Sequence, residues 1–427
     1  MTVVNTNFFQ DLFVESNQKE MAALQRGAFD KFLSIGLPDK RMESFQYFPF
    51  LRFSNYYQNL ETVKNLGSLQ DIDSLLISES KESYFLFKDG LFCPEHSSLK
   101  NLEKKVVVLT LKEALKGSYA SFIQHRWQTL LQQETDPFAL LNGALCQDGL
   151  FLYIPPKVKV QVPLHFLFMQ TNDALLHTAP RIHIFVGADA EVQFITSTEG
   201  GAIYNGFIDV AVEERAAVFH TSYTGNEKEP FGFSSFRASL KKESFLQSVS
   251  CSLGVNCRRE DYRISLLGER AHVDLSGLSG VSGHNQSHIH VQVDHVAPLC
   301  QSRQLFKQVL QGQSKASFTG KIHVTRLAQK TEAYQLSRSL LLSDSAITYV
   351  KPNLEIFADD VKATHGATIS QIDEEQKFYL QSRGVSSSEA TALLTQGFCQ
   401  EILDKIPLDS LQERCQKKYR SFLREEG

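Results

Sequence analysis

Residues 187–222 read "GADAEVQFITSTEGGAIYNGFIDVAVEERAAVFHTS". One pattern occurs twice here. A turn rich in Gly, Asp, Glu or Lys leads to a small residue, and a larger one follows two positions on: Ala190 with Val192, then Ala216 with Val218. "KKESFL" repeats it at Ser244 and Leu246, and "GERAHV" at Ala271 and Val273, so the intervals are 26, 28 and 27 residues. Further copies are read in "GQSKASF" at Ala316 and "SDSAITY" at Ala346, after 45 and 30 residues. Between copies, apolar and polar residues alternate at period two, as half-buried strands do. A near-constant period of short strands predicts a β-solenoid carrying insertions, in which coils stack their inward side chains and small residues let the corners close. A sandwich also has many short strands but does not need the spacing.

The strand texture runs from about residue 150 to Ile372, with helical patterns on both sides. "QKEMAALQRGAFDKFLSIG" places Met21, Leu24, Phe29, Phe32 and Leu33 near helical spacing, with Gly36 and Pro38 as the stop. "SLQDIDSLLISES" and "LKEALKGSYASFIQHRWQTLLQQ" are further helix candidates, the second with a stripe of Tyr119, Phe122, Ile123, Trp127 and Leu130. After the strands, Asp373 with Gln376 and Ser386 with Glu389 have capping-box spacing, while Gly384 and Gly397 fit helix ends. Leu408, Leu411, Cys415, Tyr419 and Phe422 form one stripe of a terminal helix. So short a helical segment cannot bury much by itself and must pack on the solenoid or on another protein. The organisation read is 1–135 helical and mixed, 136–372 β-helix core, and 373–427 a small helical domain.

Composition excludes several classes. The chain has 427 residues, 42% hydrophobic and 22% charged, with net charge -4. Nothing in that balance points to nucleic acid or an anionic membrane. No apolar run spans a bilayer, and Asp11 and Glu15 precede the first cation, Lys19, against a presequence. A cytoplasmic protein is expected. The seven cysteines show no C-x-x-C, and the Cys251–Cys257 spacing fits no common zinc or ferredoxin site, so they read as buried thiols.

No Walker A loop, G-x-G-x-x-G, G-x-S-x-G or H-E-x-x-H occurs. "SGLSGVSG", with Gly277, Gly280 and Gly283, reads as a glycine-rich turn. "SGHNQSHIHVQVDH" carries His284, His288, His290 and His295; on a strand His288 and His290 share a face, as in cupin metal sites, or belong to an ordinary polar face. His365 sits where the last strand meets the first C-terminal helix, with Gly366 and Ala367 keeping its surroundings small. It reads either as a strand histidine bonded to backbone or as a group that another surface approaches.

"EIFADDVKATHGATISQIDEEQKFYLQSRGVSSSEATALLTQGF", Glu355 to Phe398, resembles the SufB/SufD family of iron–sulfur cluster assembly proteins, SufD more than SufB. The resemblance continues through "HIHVQVDHVAPLCQSRQLFKQVLQGQSKASFTGKIHV" and covers most of Gly36 to Phe398, thinnest before Asp136. It implies a right-handed parallel β-helix flanked by helices, acting as a non-enzymatic scaffold. It implies pairing with a SufB-like chain through the β-helix, a homodimer when alone, and a SufC ATPase held on the C-terminal helices. Nucleotide is then hydrolysed by the partner, in line with the missing P-loop. It implies no stably bound cofactor but a transient iron–sulfur cluster in the complex, with His365 of "HGAT" as an interface ligand. Two positions depart from the pattern: Ala363 stands where the family commonly has cysteine, and Phe45 where it often has tryptophan. The alternative is a β-helix or cupin-like enzyme using His288 and His290, although no ladder of Asp, Arg or Lys marks a lyase groove.

Overall fold

The computed structural model describes residues 7–57, 72–171, 177–201, 203–224 and 231–423. Its centre is a parallel β-solenoid flattened into two sheets, each coil giving one strand to each. In the first sheet Glu191–Glu199, Ala217–Thr224, Phe245–Leu253, His272–Val281, Gln301–Leu310, Thr331–Leu341 and Val361–Gln371 lie side by side. The second is built from Ile203–Val212, Gly232–Leu240, Cys257–Leu266, Gln286–His295, Lys315–Val324 and Ile347–Ile356. The earlier strands Ser83–Lys88, Gly149–Ile154, Leu164–Met169 and Arg181–Val186 start the stack, so strand formation begins well before residue 136.

The corners explain the repeat. Asp189, Arg215, Glu243, Arg270, Leu299 and Lys330 all have φ between 56° and 61°. A left-handed non-glycine residue costs about 1–2 kcal/mol. Here each N–H is met by a carbonyl of the next coil, as in Asp189 to Glu214 (2.9 Å) and Arg215 to Lys242 (2.9 Å). The chain then turns inward, and the following residue is fully enclosed: Ala190, Ala216, Ser244 and Ala271 are at most 1% exposed. These four occupy equivalent corners, as the spacing predicts.

The later copies do not. Ala316 and Ala346 lie at the starts of Lys315–Val324 and Ile347–Ile356, strands of the other sheet. The true successors of Ala271 are Cys300 and Thr331, which precede Gln301 and Glu332 in register with His272. Their larger side chains hid the period.

Among the described residues, six helices belong to the N-terminal half: α1 (Asn7–Leu12), α2 (Lys19–Ile35), α3 (Phe50–Tyr57), α4 (Leu111–Ala114), α5 (Ala120–Gln133) and α6 (Pro137–Leu145). Gly36 ends α2 at φ 76°. The expected long helix from 111 is two helices parted near Gly117, and of its stripe only Ile123 and Trp127 are buried. Within "SLQDIDSLLISES", residues 68–71 lie outside the described residues; the rest forms only the short 3-10 turns Ile72–Ser74 and Ser78–Ser80. Phe45, Phe48, Phe53 and Phe138 pack on Phe231 and Phe233 at the outer face of the second sheet.

Charges anchor this layer. Arg237, Arg259, Arg263 and Asp261 project outward from the second sheet yet are nearly enclosed. Arg237 meets Glu134 (2.8 Å) and Asp261 (2.7 Å), and Arg259 meets Asp136 (2.7 Å). Asp136 also caps α6 through Phe138 N (2.8 Å). The charges of "CRREDYRISL" are enclosed because these helices cover the strand.

Three helices follow the solenoid: α7 (Glu374–Ser382), α8 (Ser387–Leu403) and α9 (Asp409–Phe422). Ser386 and Glu389 form the expected capping box; Asp373 caps α7 through Glu375 N and Gln376 N, and Gly384 stops it at φ 90°. Gly397 lies inside α8 instead of ending it. Gly277 and Gly280 are likewise strand residues, not turn residues. A Cβ at Gly277 would lie 2.6 Å from the Phe306 ring, and one at Gly280 would lie 3.2 Å from that of Phe422. Only Gly283 turns, at φ 57°.

Ala216→Leu and Ala271→Leu should each lower stability by about 1–3 kcal/mol, since an enclosed corner has no room for added methylenes. Denaturant midpoints test this; an unchanged midpoint for both would mean the corners are not tightly closed.

Candidate functional site

The two ends of the solenoid differ. At the start, antiparallel pieces cover the sheets: Leu91–Phe92 and Ser98–Leu99 pair with Ser83–Lys88, and Val107–Thr110 pairs with Gly149–Ile154. At the other end Val361–Gln371 and Ile347–Ile356 each pair on one side only, among the described residues. Exposed apolar side chains gather there, including Ile347, Tyr349, Phe357 and Ile369. Two long free edges of this kind form a ready template for further strand pairing.

His365 lies on this terminal strand, in register with Gln335. Along Thr331–Leu341 the residues Ala333, Gln335, Ser337 and Ser339 are buried inside the solenoid. Their register partners Ala363, His365, Ala367 and Ile369 continue the inward rows. His365 is exposed because no further coil covers it, not because it faces outward. It is therefore not the enclosed strand histidine that the sequence also allowed. Gly366, its neighbour, packs close to Leu336.

No thiol of this chain shares the open end. All seven cysteines are buried, and none lies on the two terminal strands. Burial pushes the Cys146 and Cys399 thiols up to about 12 and Cys300 to about 11, far from the thiolate that binds metal.

The C-terminal helices divide by what they bury. α8 and α9 set Cys399, Ile402, Leu411, Cys415, Tyr419 and Phe422 against Tyr223, Val249, Cys251, Leu278 and Val309 of the first sheet. Buried Lys307 fastens α8 through the Phe398 carbonyl (2.7 Å) and Glu401 (2.6 Å). By contrast α7 buries nothing; Phe378 and Tyr379 are 72% and 58% exposed. A groove of about 400 Å³ beside α8 is lined by Arg303, Leu305, Tyr334, Leu336, Glu401 and Lys405.

His288 and His290 do share a face, but their rings are engaged. His288 bonds to Ser317 Oγ (2.8 Å) and Gln286 Oε1 (3.1 Å), and His290 to Asp261 (2.8 Å). His295 is buried against Ser302 (2.8 Å), and His284 lies exposed in the preceding turn. Among the described residues no three His, Cys, Asp or Glu side chains are grouped to hold a metal.

Comparison with known proteins places this geometry. Residues 168–398 match the family described as "SUF system FeS cluster assembly, SufBD core domain", and residues 6–166 match "SufBD protein N-terminal region". The chain belongs to the SufBD family. It is 30% identical to an iron–sulfur cluster assembly SufBD family protein of Synechocystis over 91% of this chain and 88% of that one. It is 25% identical to SufD of Escherichia coli over 90% of this chain and 89% of that one. It is 24% identical to SufB of Bacillus subtilis over 80% of this chain and 75% of that one. No described helix of this SufBD-family chain is long and apolar enough to cross a membrane.

The buried histidines of the SufBD-family core fix its pH response. Burial holds His165, His220 and His288 at about 3 and His177, His183 and His295 at about 4. Burial would raise the Asp209 carboxyl, but Arg126 and then His183 hold it well below the usual range. Folded imidazoles with depressed pKa stay neutral while unfolded ones take up protons. Their stabilisation is therefore complete above about pH 6.5 and lost as pH falls towards 4 and 3, at about 1.4 kcal/mol per pH unit for each such histidine. Thermal midpoints should be level between pH 8 and 7 and fall steeply between pH 6 and 4. A level profile across the lower range would show that the imidazoles are not held neutral.

Proposed function

We propose that this chain is a non-catalytic scaffold subunit of a SUF-type iron–sulfur cluster assembly complex. Its open end pairs with the edges of a SufB-like chain, and its C-terminal helical segment, residues 373–427, carries a SufC-like ATPase that hydrolyses the nucleotide. The observation that carries this reading is the open end: two uncovered parallel edges with His365 exposed between them. A second parallel solenoid has the same strand spacing and can continue both sheets at once.

The cluster is the cargo of the complex and not a resident group of this chain. A neutral imidazole is a borderline ligand that suits iron. One histidine from this chain and a thiolate from the partner would make a site that exists only at the contact and is easily given up. Ala363 and the buried cysteines of this chain support a thiolate supplied by the partner.

His365→Ala should leave folding and complex assembly nearly intact, because the side chain is exposed and removing one polar group costs only about 1–3 kcal/mol. It should lower the iron and labile sulfide recovered per assembled complex several-fold. Co-expression with SufB-like and SufC-like chains, sizing and metal analysis test this. Clusters built at the wild-type level by the variant would remove the ligand role, and a chain that never pairs would remove the scaffold reading.

Exposed α7 and the groove beside α8 support ATPase docking. Phe378→Ala with Tyr379→Ala should weaken SufC binding by about tenfold or more, on the scale of aromatic hot spots, at an unchanged melting temperature. Unweakened binding would move the dock elsewhere. Truncation at Asp373 is a poorer test, since removing α8 and α9 uncovers Val249, Leu278 and Val309 of the sheet.

A further inference from the structure

The inward row that ends at His365 is not apolar. Register aligns Leu275, Gln304, Gln335 and His365 on successive strands of the first sheet. Gln304 and Gln335 are enclosed, at 3% and 2% exposure. Gln335 Nε2 donates to Gln304 Oε1 at 2.7 Å. That bond occupies the donor end of the Gln335 amide. Its other end, Oε1, is buried and has no hydrogen-bond partner. An acceptor left in that condition costs about 1–3 kcal/mol.

The amide reaches across the solenoid and lies over Gly320 of the facing sheet. A Cβ at Gly320, on the facing sheet, would lie 2.3 Å from Gln335 Nε2 and 2.6 Å from Oε1. Only glycine leaves room for the glutamine there. His365 occupies the same row one strand further out, where adjacent strands lie about 4.8 Å apart. Its ring also has no hydrogen-bond or ion-pair partner among the described residues. A buried acceptor without a donor thus lies, in register, one strand beneath an imidazole whose N–H has no acceptor.

We propose that Gln335 is a positioning residue for His365: its Oε1 accepts the N–H of the inward-turned ring nitrogen and leaves the other nitrogen's lone pair facing out of the open end. This deepens the assignment of His365 as an interface ligand and rests on it. The hydrogen bond made by one ring nitrogen decides the tautomer and so decides which nitrogen can bind metal. Gln304 supports the arrangement by accepting from the donor end of the Gln335 amide.

The test uses the full chain, metal-free, with 15N-labelled histidine, at a pH where the imidazole is neutral. Long-range 1H–15N spectra distinguish the tautomers, and His365→Ala identifies the signal. One tautomer should dominate in the wild type and in Gln335→Glu, which keeps an acceptor oxygen. Gln335→Met, of similar volume without an acceptor, should give a mixture. In the assembled complex Gln335→Met should lose its cluster to a chelator several times faster than wild type, and Gln335→Glu should not. A wild-type His365 with the tautomer mixture of a free imidazole overturns the proposal, even if Gln335→Met does not fold. So does an unchanged spectrum and cluster lifetime in Gln335→Met. If His365→Ala itself leaves cluster formation untouched, the ligand role fails, whereas the tautomer spectra still decide whether Gln335 orients the ring.

Discussion

Every coil of this molecule turns at one corner, where a residue in the left-handed region is followed by a small enclosed one. The strained residue is stabilised only by the next coil, whose carbonyl receives its N–H. A single coil would have neither that bond nor a neighbour to cover its inward row. Stability is therefore shared along the stack and each coil depends on the next. Ala216 and Ala271 cannot be larger because the wall closes around them, while Cys300 and Thr331 show how far the corner can stretch when the flanking turns lengthen.

The same dependence makes the ends of the stack special. The start is protected by short antiparallel pieces, which block further growth, as proteins commonly do at exposed edges. The finish has no such piece, and its two terminal strands, of 11 and 10 residues, carry apolar side chains into the open. In the scaffold role proposed above, this is the surface that a second solenoid would complete. In the first sheet the inward row that ends at His365 passes through Gln304 and Gln335, whereas Val350 and Leu354 keep the facing sheet apolar.

Two layers of helix cover the outer faces by different means. The N-terminal layer is held by aromatic packing and by buried ion pairs around Asp261, where Arg263 and Arg237 outweigh the burial that would otherwise keep the carboxyl protonated. Breaking one partner of such a group leaves a charge enclosed and is costly, so this layer is locked to the second sheet. The C-terminal layer is held by α8 and α9 alone. Helix α7 contributes nothing to that contact and is free to serve a partner.

The sequence by itself determined the coil repeat, the position of the strand region, the helix caps at Ser386 and Asp373, and the stripe of α9. These are local properties: a period, a cap or a stripe is set by neighbours within a few residues. The motif around His365 was legible too, through its likeness to a family. Tertiary structure decided the rest. It showed that Cys300 and Thr331 continue the corner row, because register across strands is a pairing of distant residues and not a spacing. It turned the charged strand "CRREDYRISL" into an enclosed anchor, since burial depends on what lies above a strand. It also showed that His365 is an inward residue left uncovered, with Gln335 beneath it, and no local pattern can reveal where a stack of coils stops.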